Sequence, residues 1–114
     1  MDRTSFLRDV LTIALEGGID YWAVGRRADR NPDLTYNSIE LRDSEDPEAE
    51  WKKVDGDSLK AAVLRIITDD DLKVAAHIKG EIAHAWATND AGMIDATTSD
   101  VIVQIACFGE IVYG

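Results

Sequence analysis

The chain has 114 residues, 46% of them apolar, and a formal net charge of −10 from 22 acidic against 12 basic side chains. That length and apolar content suit one domain, residues 1–114, with its own core, and no run approaches the ~18 apolar residues of a membrane span. A surface this acidic is repelled by nucleic-acid phosphates and by anionic lipid, which argues against direct nucleic-acid binding and against membrane binding.

The opening, Met1-Asp2-Arg3-Thr4, lacks the basic region and apolar stretch of a secretory signal. The lone cysteine, Cys107, can form no internal disulfide and fits a reducing compartment. The expected location is cytoplasmic.

Residues 4–16 read as a helix, because Phe6, Leu7, Val10, Leu11, Ala14 and Leu15 recur at three- and four-residue spacing. Gly17-Gly18 should stop it, one glycine taking a left-handed conformation past the last turn. Ile19 to Val24 is rich in aromatic and branched residues and reads as a strand. Gly25 to Asp33 is polar and ends in the turn signal Asn31-Pro32-Asp33. Leu34 to Leu41 is a second strand pattern, Asp43 to Glu50 an exposed acidic loop, and Glu50 to Val54, around Trp51, a short third strand. Three consecutive, closely linked strands predict an antiparallel meander.

The second half is helical in pattern. Asp57 is placed to cap a helix running to about Thr68, with Leu59, Val63, Ile66 and Ile67 on one face. The acid-rich run at Thr68 to Asp71 suits the start of a second helix, Asp70 to Ala87, burying Ala75, Ile78, Ile82, Ala85 and Trp86. After a loop at Asn89 to Gly92, Thr97-Thr98-Ser99-Asp100 matches a capping box. It opens a last helix, about Ser99 to Phe108, with Gly109 at its end and Glu110 to Tyr113 as a short strand or docked tail. The fold class is α+β: an N-terminal helix, a small antiparallel three-stranded meander, then three helices packed on the sheet. The run from Val101 to Tyr113 is apolar nearly all round, which predicts cover from a second copy and hence a homodimer.

The two ends carry distinctive strings. Ala14-Leu15-Glu16-Gly17-Gly18 is followed by Tyr21-Trp22, and the finish runs Asp100-Val101-Ile102-Val103-Gln104, then Ala106, Phe108-Gly109-Glu110 and Val112-Tyr113-Gly114. Together they resemble small proteins of actinobacterial phages and prophages that share an ALEGGxxYW opening and a DVIVQxAxFGExVYG ending. The resemblance implies a genomic setting, and through it an accessory protein that binds a host protein or neutralises a defence system. It implies no chemistry.

Few residues have catalytic composition. His77, Glu81 and His84 share one helical face and could ligate a metal, with Glu81-Ile82-Ala83-His84 matching the E-x-x-H spacing of di-iron bundles. Those bundles need several such helices, so a solvated helix face is the stronger reading. Cys107 could be a nucleophile with a histidine base, but it sits in a dense apolar run and reads as a core residue. Gly17-Gly18 follows a helix, and neither G-x-G-x-x-G nor a P-loop is present. Tyr21 and Trp22 on a strand would point to opposite faces. With Arg26 and Arg27 beside them, and Arg30 close by, they form the one local aromatic and basic cluster, able to grip a partner or a phosphorylated small molecule, although core aromatics with surface arginines paired to the acidic loop are the stronger reading.

Three classes of function follow. The first is a non-enzymatic module that binds a host protein through its acidic surface, in the manner of a DNA mimic. The second is a small-molecule sponge for a nucleotide signal, built on Tyr21, Trp22, Arg26 and Arg27. The third is a metal-dependent enzyme using His77, Glu81 and His84. The first is preferred, with no cofactor expected.

Overall fold

A computed structural model describes residues 3–114 of the chain. Its order is one helix, three strands and three helices, the α+β architecture expected from the pattern.

The first helix, α1, spans Arg3–Ile13 and passes without a break into a wider π-helical turn, Ala14–Gly18. The predicted stripe is its buried side: Phe6, Leu7, Val10, Leu11 and Ala14 all lie in the core. The expected left-handed glycine is not at Gly17 or Gly18. Among the described glycines only Gly109 has positive φ, at 76°. Instead the Ile19 N–H reaches five residues back to the Ala14 carbonyl, 3.2 Å away. Gly18 is required for a different reason. A Cβ there would lie 2.9 Å from the Ala96 carbonyl oxygen and 3.2 Å from Ser99 Oγ, so only glycine lets the last helix approach.

The sheet is an antiparallel meander of β1 (Ala23–Arg30), β2 (Tyr36–Asp43) and β3 (Lys52–Asp55), in that spatial order. The first strand starts later than its aromatic content suggested. Residues Ile19 to Trp22 form a turn in which the N–H groups of Trp22 and Ala23 donate to the Ile19 carbonyl. That turn drives Ile19 and Trp22 into the core. The polar stretch that begins at Gly25 supplies most of β1 itself. It lacks apolar alternation because it is an edge strand exposed along nearly its whole length. Its register slips between Arg26 and Asp29, with Arg27 at φ 52°. Such a bulge, with the charges around it, blunts an edge against unwanted pairing. The predicted turn at Asn31 joins β1 to β2 through a bond from the Leu34 N–H to the Asn31 carbonyl.

Side chains alternate across β2. Ile39 and Leu41 face inward, with Val54 opposite Ile39. Ser38, Glu40 and Arg42 therefore point to the other face.

The second helix, α2, spans Gly56–Thr68 and is capped by Asp55, not Asp57. Asp55 is extended, and its carboxylate accepts the Ser58 N–H at 3.0 Å while Ser58 Oγ accepts the Asp55 N–H at 2.9 Å. The third helix, α3, spans Ala76–Thr88, shorter than the predicted Asp70 start. The acidic run folds into turns because the Asp69 carboxylate captures the Asp71 N–H at 3.0 Å, a local bond that competes with helix. Ala75 is consequently exposed, whereas Ile82 and Ala85 are buried and Ile78 and Trp86 pack against the core. A single 3₁₀ turn, Ala91–Met93, leads to α4, Ala96–Phe108. Asp95 caps α4 in a reciprocal box with Thr98, two residues earlier than the predicted Thr97 to Asp100 box. Gly109 ends the helix in the left-handed conformation, as its position suggested. The segment after it is a docked tail.

α1, α2 and α4 close over the inner face of the sheet, and α3 packs mainly on α2 and the 3₁₀ turn. Arg3 fastens α3 to α1: its guanidinium lies 3.5 Å from the Trp86 ring centre and donates to the Trp86 carbonyl. α4 is buried on almost every side, Val101 to Ile105 and Cys107 all being inside. The cover predicted from a second copy is supplied by the chain itself. Among the described residues no helix is long and apolar enough to cross a membrane.

Candidate functional site

The two distinctive end segments meet in space. The turn before β1 places Trp22 against α4, 1% exposed, and leaves Tyr21 at the surface, 54% exposed. Both still reach the same carboxylate. Tyr21 Oη donates to Asp100 Oδ2 at 2.6 Å, and Trp22 Nε1 donates to Asp100 Oδ1 at 2.8 Å. The shifted cap of α4 makes this possible, because Asp95 takes the capping role and frees Asp100 one turn later. Partial burial, and then the Asp100 carboxylate beside it, push the Tyr21 phenol up to about 12.

Gln104, 1% exposed, carries the network to the tail. Its amide nitrogen donates to Asp100 Oδ1 and to the Tyr113 carbonyl, and its oxygen accepts the N–H groups of Val112 and Tyr113. The Tyr113 ring then stacks on Trp22, centroids 6.0 Å apart and 9° from parallel, and its hydroxyl donates to Asp43. That hydrogen bond, with burial, raises the Tyr113 phenol well above its ordinary range. The buried amide thus pairs with both the N–H and the carbonyl of Tyr113, as a neighbouring strand would. The end motifs encode an interlock between the first turn, α4 and the tail.

Arg26 and Arg27 do not join Tyr21 and Trp22. They stand on β1 over the outer sheet face, where they share Glu40, each at 3.3 Å. What joins them there is Trp51. The guanidinium of Arg26 lies 4.3 Å from its ring centre, and that of Arg42 lies 4.3 Å from it as well. Lys53, opposite Glu40 in the register, adds a further cation on this face. In a chain of net charge −10 this patch is cationic and aromatic. Arg42 was not singled out from the sequence. The polar alternation Ser38, Glu40, Arg42 on β2 is the signal that marks an open sheet face. Arg30 is outside the cluster, stacked 5.0 Å over Tyr36.

The remaining candidates separate. His77 and His84 are exposed and Glu81 half-buried on α3. Among the described residues no group of three or more His, Cys, Asp or Glu is arranged to hold a metal ion. Cys107 is 8% exposed, and burial pushes its thiol up to about 12, so the thiolate nucleophile is disfavoured. Comparison with protein-family models, curated proteins and solved structures found no match to this chain.

Proposed function

We propose that this is a non-enzymatic accessory protein of a phage or prophage that acts by docking on a host protein, in a setting such as counter-defence. The observation that carries the reading is Trp51 with the guanidinium groups of Arg26 and Arg42 each 4.3 Å from its ring centre, on a sheet face that none of the described helices covers. Tryptophan and arginine are the side chains most enriched where binding energy concentrates. Their stacking holds them ready before contact, which lowers the ordering cost of association. The partner surface is acidic, matched to Arg26, Arg27, Arg42 and Lys53. The contact therefore differs in sign from the acidic surface that composition suggested.

The test is recovery of the tagged protein from a bacterial host lysate, beside a variant carrying Arg26→Glu and Arg42→Glu. A stoichiometric protein partner lost by the variant, with its melting temperature intact, supports the reading. A partner retained by the variant refutes this face as the contact. A copurified nucleotide or metal in place of any protein refutes the docking function.

A further inference from the structure

The first strand carries a strained residue that its pairing does not require. Between Arg26 and Asp29 the register slips, so that Arg27 and Ala28 on β1 stand opposite the single residue Ile39 on β2. Arg27 opens this bulge with φ 52°. In a bulge of this left-handed kind the first residue is ordinarily glycine, because a side chain is strained there. A glycine would keep the bulge, and with it the protection of the edge, without that strain. An arginine stands there instead.

The bulge brings two charges together. Adjacent residues of a regular strand point to opposite faces. Here Arg26 and Arg27 reach one carboxylate: Arg26 Nη2 lies 3.3 Å from Glu40 Oε1, and Arg27 Nη1 lies 3.3 Å from Glu40 Oε2. An ion pair this exposed, with the Arg27 side chain 72% accessible, adds little to stability and does not offset the strain. Arg27 gives one N–H to Glu40, which leaves most of its five-donor fork open. Lys53, opposite Glu40 on the next strand, has no ion-pair partner among the described residues. Asp29, beyond the bulge, pairs with none of these cations and accepts from Asn37 Nδ2 at 3.4 Å. Three cations thus surround Glu40, and the charge balance has room for a second carboxylate.

We infer that Arg26 and Arg27 form a carboxylate clamp, held on Glu40 until a carboxylate from an acidic segment of the docked protein draws Arg27 away. Glu40 indicates the chemistry, since the two guanidinium groups already take a carboxylate, one oxygen each. Arg27 sets the specificity, because it is exposed and strained, whereas Arg26 is stacked on Trp51. The inference rests on docking of an acidic protein through this face and names the group gripped there.

The probe is end-blocked hexa-L-glutamate, titrated into the full chain at physiological salt. The Trp51 indole and arginine side-chain signals are followed by two-dimensional NMR, with hexa-L-glutamine and inorganic phosphate run beside it. Hexaglutamate should saturate and move the Arg27 and Trp51 signals, and hexaglutamine should not. Arg27→Gly should bind about tenfold more weakly, the effect of one charge-assisted hydrogen bond. The same variant should melt about 2–4 °C higher, because the left-handed strain is relieved. Glu40→Gln should bind hexaglutamate more tightly, since the competing carboxylate is gone. A merely structural ion pair gives the reverse: Arg27→Gly melts lower and binds unchanged, and Glu40→Gln binds no better. Either result overturns the clamp, as does the absence of saturation at millimolar hexaglutamate, or phosphate saturating first. These readouts need no host protein. A lysate partner without hexaglutamate binding sinks the clamp and leaves the docking face, whereas hexaglutamate binding without a lysate partner does the opposite.

Discussion

Replacing Gln104 by leucine tests the interlock between α4 and the tail. The side chains are close in volume, so the core near α4 stays filled. What is lost is hydrogen bonding: three bonds to the backbone of Val112 and Tyr113, and one to Asp100. Each contributes about 1 kcal/mol net. The tail is at the surface and can rewet when released, which limits the loss to about 2–3 kcal/mol. For a domain of this size that lowers the melting temperature by about 8–12 °C. A thermal melt followed by circular dichroism reads it directly. The sharper measurement is a double-mutant cycle with a chain ending at Gly109. Without the tail, Gln104 keeps a buried amide and loses most of its partners, so leucine there should be neutral or stabilising. The coupling should be about 2 kcal/mol. Strict additivity of the two changes would show that the buried amide and the tail do not hold each other, and the interlock would fail.

Two adjacent glycines should behave oppositely. Gly18→Ala forces a Cβ to 2.9 Å from the Ala96 carbonyl and should cost about 1–3 kcal/mol, whereas Gly17→Ala meets nothing within 4 Å and should be neutral or stabilising. Equal urea midpoints for the two variants would contradict the close approach of α4. Alkaline stability should follow the phenols of Tyr21 and Tyr113. Both are raised in the folded state, so their stabilisation is whole below the unfolded value of 10.0 and is lost as pH rises through the folded value, about 12 for Tyr21. Ultraviolet titration of Tyr21→Phe and Tyr113→Phe against the wild type assigns each phenol. Ionisation of Tyr21 near pH 10 would deny it the Asp100 bond.

Much of the fold was legible because periodicity is local. The stripes of α1 and α2 follow from side-chain spacing, and so does the apolar run of α4. Gly109 could be read as a helix end because a left-handed terminus favours glycine whatever lies beyond. The acidic charge excess is likewise a property of the sequence. Where two local signals competed, neighbours in space chose between them. Asp55 and Asp57 could each cap α2, and only the extended backbone at Asp55, set by its pairing in β3, selected it. β1 has no apolar alternation, and pairing with β2 made it a strand. Gly18 is dictated by the passage of α4 across the chain, which no window around residue 18 contains. The same holds for the candidate sites. Tyr21 and Trp22 were visible as unusual residues, but their roles belong to Asp100, 78 or more positions away. Arg26 gained its meaning from Trp51 and Arg42, which the strand register alone brings to one face. Sequence specified which side chains are available, and the long-range contacts of the folded chain decided which of them face each other.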